Sequence, residues 1–180
     1  MKRRIQTAGE YMRMCHALYG SPAVWMRLFM VYGPAQRDVR KLVPYVATTL
    51  LSGETPALSD GRRAVDWVYV EDVADAFLAA ATAPGVEGRT VDVGSGHLVT
   101  VREIAERLGQ LIDPSAALRF GAVPERRLEQ LRVADTARTA EAIGWRAVTS
   151  LDGGLRATVD WYRRQLGPPL EAPRLRLIGA

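Results

Sequence analysis

The chain has little of the chemistry that disulfide scaffolds and metal centres need. Its 180 residues include one cysteine, Cys15, and two histidines, His16 and His97. A single cysteine excludes an internal disulfide and a cysteine-based metal site, and it fits a reducing compartment. The two histidines are too few and too far apart in the sequence to suggest a metal site. We therefore expect a cytoplasmic protein without a bound metal.

Long apolar runs and concentrated basic patches are also missing. No run of about 18 apolar residues occurs, so we expect no membrane-spanning helix. Lysine and arginine number 24 against 20 acidic residues, but they are scattered and mark no basic helix face. This pattern favours a solvated surface over nucleic-acid binding. The local excess at Arg62-Arg63, Arg126-Arg127 and Arg132 suits a small anionic ligand better than a polyanion.

The hydrophobic residues, 48% of the sequence, are enough for a core, and their spacing predicts a mixture of helices and strands. An α/β protein is therefore expected. Asp72 and Thr100 are predicted to cap helices, and Asp66 to fix an adjoining turn. Helices are predicted at 6–19, 42–51, 72–83, from 100 onward, from 135 or 136 to 144 and at 150–166, and strands at 24–32, 56–58, 64–70, 90–93 and 118–123, with a turn at Asp60-Gly61 between the second and third strands.

The apolar stretch from Trp25 to Pro34 dominates the pattern. It is rich in strand-forming residues and closes on Gly33-Pro34, which predicts a buried strand of a parallel sheet followed by a tight turn. Ligands in such sheets bind beyond the carboxyl ends of the strands, so we expect a site around Phe29 to Pro34. Only 24–32 and 90–93 are typical of central parallel strands, which are too few for a complete doubly wound sheet.

Several motifs occur in one characteristic order: Tyr32-Gly33-Pro34 after an Arg-Leu-Phe strand, Asp66-Trp67-Val68-Tyr69-Val70-Glu71-Asp72, Val91 to Gly94, Ala134-Asp135-Thr136 and Gly144-Trp145. Together they resemble the C-terminal half of the extended short-chain dehydrogenase/reductase family, the NAD-dependent nucleotide-sugar epimerases and dehydratases. The resemblance implies an incomplete Rossmann-type sheet plus a small α+β substrate lobe. It assigns 1–35 to the dinucleotide-binding domain, 36–167 to a nucleotide-sugar lobe that includes the strand near 90–93, and 168–180 to a tail.

The residues that carry out hydride chemistry in this family do not match. The family helix has a Tyr-x-x-x-Lys pair, and the corresponding positions here are Lys2 and Gln6. A Gly-rich dinucleotide turn is also missing, and Gly94-Ser95-Gly96 is more typical of a tight turn than of a phosphate loop. We therefore expect no catalytic residues, and a protein truncated to its substrate-binding half and inactive alone. The alternative is a non-catalytic protein that binds nucleotide sugars or docks on a partner.

The resemblance also implies candidate binding residues. Phe29 would lie near the nicotinamide of NAD, although this chain alone is not expected to bind NAD. Met30 replaces a substrate-touching Asn, and a core methionine is an equally good interpretation. Lys41 and Leu42 would lie along the nucleotide, unless Lys41 is simply solvated. The remaining candidates are Arg63 and Arg126 for phosphate, and Glu129 for a ribose hydroxyl or for orienting Arg126. The 6–19 helix would contact a second copy or a full-length relative.

Overall fold

The computed structural model describes residues 2–124 and 131–166, with side chains described from residue 8 onward. Helices and strands are mixed along the chain, as expected for the α/β class. In chain order they are α1 (Lys2–Tyr19), β1 (Trp25–Leu28), β2 (Met30–Tyr32), α2 (Leu42–Leu51), β3 (Ala64–Tyr69), α3 (Val70–Thr82), β4 (Thr90–Val93), β5 (Leu98–Thr100), α4 (Val101–Ile112), α5 (Thr136–Ile143) and α6 (Leu151–Leu166).

The predicted long strand at 24–32 is two strands that belong to different sheets. β1 pairs in parallel with β4, and β2 pairs in parallel with β3, which also pairs antiparallel with β5. The division falls at Phe29, whose N–H donates to the Val93 carbonyl at 3.0 Å and completes the first pairing. The next residue, Met30, already pairs with Trp67. The prediction of a single buried strand was therefore wrong. In addition, Arg27 and Leu28, the last two residues of β1, are exposed.

The hairpin expected around Asp60-Gly61 is also wrong. Residues 56–58 contribute only an isolated parallel bridge, between Ala57 and Arg119, and that bridge is all that remains of the strand predicted at 118–123. β3 instead pairs with β2 and β5. At Gly61 the chain turns and contacts the start of α4. The Arg102 N–H donates to the Gly61 carbonyl at 3.0 Å, and Gly61 has a φ of +71° that favours glycine.

Helix caps were easier to predict because their signals are local. Thr100 and Glu103 form the expected capping box at α4: the Thr100 hydroxyl accepts the Glu103 N–H at 3.1 Å, and the Glu103 carboxylate accepts the Thr100 N–H at 2.9 Å. These hydrogen bonds from Thr100 hold the pKa of Glu103 below its usual range. Asp135 caps α5, which ends at Gly144 in the left-handed conformation.

Asp72 was predicted as a helix cap, and that prediction is wrong. α3 already begins at Val70, so Asp72 lies inside its first turn and is buried. Its carboxylate accepts hydrogen bonds from the Thr149 N–H at 3.1 Å and the Thr149 hydroxyl at 3.0 Å. The side chain therefore ties α3 to the segment before α6 rather than capping its own helix.

Two clusters of buried side chains form the core. One gathers α2, α4, α6 and one face of β3, and it contains Val43, Val46, Trp67, Ile104, Leu108, Leu155 and Val159. The other packs α3 and α5 against β4, and it contains Val73, Ala76, Ala80, Val91, Val93, Ile143 and Trp145. The helices α2 to α6 therefore bury their apolar faces against a sheet or a neighbouring helix.

Asp66 in β3 joins three separate segments. Its side chain is 0% exposed. One oxygen accepts the Ser95 N–H at 2.7 Å and the Ser95 hydroxyl at 2.8 Å, and the other accepts the Gly96 N–H at 3.1 Å and the Ala134 N–H at 2.9 Å. A buried carboxylate is stable only when its oxygens are satisfied in this way. Asp66 was expected to fix a turn adjoining it; instead it holds the 95–96 turn, which is 29 residues away at Ser95, and the chain ahead of α5.

We predict that Asp66→Ala lowers the free energy of unfolding by about 3 kcal/mol or more, because it leaves four donors without their acceptor. Chemical denaturation followed by circular dichroism measures the loss. Asp113→Ala is the matched control, since Asp113 is exposed and bonds only to nearby Ser115. Asp113→Ala should lower the free energy of unfolding by only about 0.5 kcal/mol. Equal losses in the two variants would contradict a special role for Asp66.

Candidate functional site

A groove of about 660 Å³ begins just past the carboxyl end of β1. Its floor includes Met30 and Trp67, which face each other across β2 and β3. The loop from 36 to 41, the start of α2, the 57–63 segment and residues 123–124 form its walls. The described lining residues are Met30, Val31, Gln36, Val39, Arg40, Lys41, Leu42, Val43, Tyr45, Ala57, Leu58, Ser59, Gly61, Arg63, Trp67, Val101, Val123 and Pro124.

The turn at Gly33 brings the 36–41 loop over the groove. Gly33 has a φ of +154°, and a Cβ there would collide with the side chain of Val70. Only glycine fits this close approach. Farther along, the Tyr162 hydroxyl donates to the Gln36 carbonyl at 2.8 Å and fastens the loop to α6. The Tyr-Gly-Pro motif thus determines where the chain enters α2.

One wall of the groove carries only positive charge. Arg40, Lys41 and Arg63 line it, and no carboxylate is among the described lining residues. Arg40 binds Asp38 through Nε at 2.9 Å, and its hydrogen bonds hold the pKa of Asp38 below the usual range. Lys41 occupies the N-cap position of α2 without a side-chain capping bond. The positive end of the helix dipole adds to these charges, so this wall suits an anion.

The remaining surface of the groove is largely apolar, and two aromatic residues hold it in place. The Trp67 indole N–H donates to the Val99 carbonyl at 3.1 Å, which fixes the ring beside Met30. The Tyr45 hydroxyl accepts the Ala57 N–H at 3.0 Å and joins α2 to the 57–63 segment. The groove therefore combines an apolar cleft with a cationic rim, the combination found in sites for ligands with a flat apolar part and an anionic part.

Four of the predicted binding residues meet in this groove: Met30, Lys41, Leu42 and Arg63. Phe29 is not among the lining residues and lies at the switch between β1 and β2. Arg126 and Glu129 lie outside the described residues. The binding roles of all seven stay predictions.

Sequence reasoning missed several lining residues, above all Gln36, Arg40 and Tyr45. The adjacency of Arg40 to Lys41 was the available signal for a cationic wall. Gln36 and Tyr45 carried no comparable local signal, because their positions depend on the tertiary path of the loop and of α2. Trp67 both packs in the core and forms part of the groove.

The Gly94-Ser95-Gly96 turn does not form the phosphate-binding part of a dinucleotide site. The Gly94-Ser95-Gly96 turn does not offer its amides to a phosphate, since the Ser95 and Gly96 N–H groups both donate to the buried Asp66 carboxylate. A phosphate loop needs such amides free. The chain therefore forms the expected tight turn here. Among the described residues, no Gly-rich loop connects a strand to the N-terminus of a helix in the way that the dinucleotide fingerprint requires.

Tyr32 is the last residue of β2, and its hydroxyl is held in the core. It is buried, and its hydroxyl donates to the Leu151 carbonyl at 3.3 Å. Burial, and then the charge of Asp72, raise the pKa of Tyr32 well above its ordinary value. The buried Tyr32 ring also packs edge-on against Trp67 and Tyr69, so the residue forms part of the core.

Two further expectations concern metal binding and membrane-spanning helices. Across 2–124 and 131–166, no group of three or more His, Cys, Asp or Glu side chains is placed to hold a metal ion. Within the same part of the chain, no helix is long and apolar enough to cross a membrane.

Comparisons with known proteins agree with the motifs. The family model described as "NAD dependent epimerase/dehydratase family" matches residues 6–94. A dTDP-glucose 4,6-dehydratase from Neisseria gonorrhoeae is 30% identical over 167 residues, which covers 86% of this chain and 48% of that protein.

Solved structures show the same likeness. The UDP-glucose 4-epimerase from Thermotoga maritima, determined with UDP-glucose, aligns with a TM-score of 0.81 and 26% identity, covering 90% of this chain and 52% of that one. The dTDP-glucose 4,6-dehydratase from Bacillus anthracis, determined with NAD, aligns with a TM-score of 0.78 and 23% identity, covering 87% and 49%. The second match supports the fold alone.

The chain spans about half the length of the relatives it matches. Its motifs, its fold and the matching family model all point the same way. The chain belongs to the NAD-dependent epimerase/dehydratase family and corresponds to part of an extended short-chain dehydrogenase/reductase.

Proposed function

We propose that this chain is the nucleotide-sugar-binding half of an NAD-dependent epimerase or dehydratase. The observation that carries the proposal is the groove itself: an apolar cleft with three cationic side chains and the uncapped start of α2 on one wall. A nucleoside diphosphate sugar combines a flat base, two phosphates and a polar sugar, and it matches that distribution. The domain division at 35/36, with 36–167 as the sugar-nucleotide lobe, is part of the proposal.

The diphosphate would bind at the cationic wall. Lys41 and the first peptide N–H groups of α2 come from one helix start, and Arg63 approaches from the segment before β3. Arg40 adds a second guanidinium, partly neutralised by Asp38. Guanidinium groups grip phosphate oxygens through paired hydrogen bonds, while a helix N-terminus attracts the same charge without a side chain. Arg126 is proposed as a further phosphate ligand, and Glu129 as its ribose-binding or orienting neighbour.

The nucleoside and the sugar would occupy the apolar part. Leu42, Leu58 and Val101 offer surface to a base. Met30 lies on the floor next to Trp67, and we propose that it contacts the sugar by shape alone, since a thioether is a weak acceptor. The Thermotoga maritima relative was determined with UDP-glucose, which supports a sugar nucleotide of this kind.

We propose that the isolated chain does not catalyse the family reaction, although NAD is the cofactor that the family uses. The described residues do not form a dinucleotide site, and the positions of the family Tyr-Lys pair hold Lys2 and Gln6. The role of Phe29 beside a nicotinamide therefore requires a dinucleotide-binding half in addition to the described residues. The proposed setting is the cytoplasm, which agrees with the single cysteine.

The alternative function, docking on a partner, is favoured by the surface of α1. Tyr11, Leu18 and Tyr19 on this helix are 63%, 64% and 78% exposed. Monomeric proteins rarely expose large apolar side chains together on one element. A second copy, or a full-length relative, is the partner that we propose for this helix, and docking there leaves the groove open.

We predict that the protein associates with itself through α1 and that Leu18→Lys lowers the associated fraction, because a charge would have to be buried in the contact. Light scattering over a concentration series measures the mean mass. Val148→Lys is the control, since Val148 is 83% exposed away from α1. A monomer at every concentration, or equal effects of the two substitutions, would count against docking through α1.

For the groove, we predict that Lys41→Gln weakens the binding of UDP by about three- to ten-fold, because one partly exposed charge facing the phosphates is removed. Calorimetric titration measures the Kd. Uridine, which has no phosphate, should bind the wild type and the variant with the same weak affinity.

Arg164→Gln provides the matched control, since it removes one positive charge from an exposed position on α6. It should leave the affinity for UDP unchanged. Absence of any heat with millimolar UDP would contradict the proposed function, and equal weakening by Lys41→Gln and Arg164→Gln would show that overall charge, not the groove, attracts the nucleotide.

A further inference from the structure

A second cleft, of about 390 Å³, shares no lining residue with the groove. It lies where α1, β1, the start of β4 and α5 meet. We call it the arginine cleft, and its lining residues are Arg13, Arg27, Gly88, Arg89, Thr90, Asp92, Asp135, Arg138 and Thr139. Its walls come from four separate elements and their flanking loops, so the fold, rather than one local motif, brings these side chains together.

The two carboxylates in the arginine cleft are already engaged. Asp92 is buried and binds Arg27 through two hydrogen bonds of 2.7 Å, from Nε to Oδ1 and from Nη2 to Oδ2. Asp135 caps α5 by accepting a backbone N–H at 3.0 Å. The Arg27–Asp92 pair forms one wall of the cleft, and the opposite charges of its two side chains cancel.

Three guanidinium groups remain at the rim. Arg13 donates to the Thr90 hydroxyl at 3.2 Å. Within 2–124 and 131–166, the side chains of Arg13, Arg89 and Arg138 form no ion pair with a carboxylate. Asp135 supplies the one negative charge that is not matched by Arg27, so the cleft carries an excess of two positive charges.

Like charges that converge on one cleft repel each other, and an anion placed between them removes that repulsion. Arginine is suited to tetrahedral oxyanions, because its planar donors form paired hydrogen bonds with phosphate oxygens. The Thr90 hydroxyl adds a donor at the same place. No apolar side chain lines this cleft among the described residues, so it is not suited to a base or a ring.

We propose that the arginine cleft binds a phosphate group, either free inorganic phosphate or the phosphoryl group of a small metabolite. This site is separate from the nucleotide-sugar groove and does not depend on the proposed function. Arg13, Arg89 and Arg138 supply the contacts, and the Arg27–Asp92 pair holds the wall behind them. The three contact residues are exposed, so their replacement leaves the core intact.

The test is a calorimetric titration of the full chain with inorganic phosphate and, separately, with glycerol phosphate, both at constant ionic strength. We expect saturable binding of at least one of them. Tighter binding of glycerol phosphate identifies a phosphorylated metabolite as the natural ligand, and tighter binding of inorganic phosphate identifies the free ion. Replacing Arg89 and Arg138 together by glutamine should weaken binding by about ten-fold or more.

The matched control replaces Arg156 and Arg164 by glutamine, which removes the same charge from exposed positions of α6. These substitutions should leave the Kd for phosphate unchanged. No saturable binding, or equal weakening by the two double variants, would overturn the proposal. Failure of UDP to bind in the groove would not affect this result, so the two sites are tested independently.

Discussion

The fold depends on one buried carboxylate. Asp66 lies in the middle of the sheet strand that borders the groove, and its two oxygens accept four hydrogen bonds from the 95–96 turn and from Ala134. These contacts hold together β3, the chain after β4 and the chain before α5. They also explain the glycine at 94, where an added Cβ would lie 2.7 Å from the Asp66 carboxylate. The same contacts use the amides that a phosphate loop would need.

Near this anchor, the chain passes from the first sheet to the second between β1 and β2, and this switch creates the groove. β1 pairs with β4 from Trp25 to Leu28, and Phe29 completes that pairing. Met30, the next residue, begins the second sheet opposite Trp67. A surface therefore opens past the end of the parallel pair, where ligands bind in α/β proteins. Gly33 then directs the chain to α2, whose start brings Lys41 to the same surface.

The sequence allowed good prediction of features that depend on nearby residues. The capping box at Thr100 and Glu103 and the cap at Asp135 follow from spacing, and the ordered motifs indicated the family. Features that depend on distant partners were mispredicted or missed. The division at Phe29 needs both Val93 and Trp67, and Asp72 bonds to Thr149, which is 77 residues away. Four of the proposed binding residues do meet in the groove. The resemblance to the family, and not local periodicity, identified them.

The most direct test of this account is an NMR titration of the isotope-labelled chain with UDP-glucose in the presence of NAD. The account predicts shifts of the amide signals of Met30, Leu42 and Val43 and of the Trp67 indole, with the Arg89 and Arg138 amides unchanged. The sugar resonances in the same sample should stay those of UDP-glucose, because we propose that the isolated chain does not turn it over. Shifts confined to other surfaces, or the appearance of an epimerised or dehydrated sugar, would contradict the account.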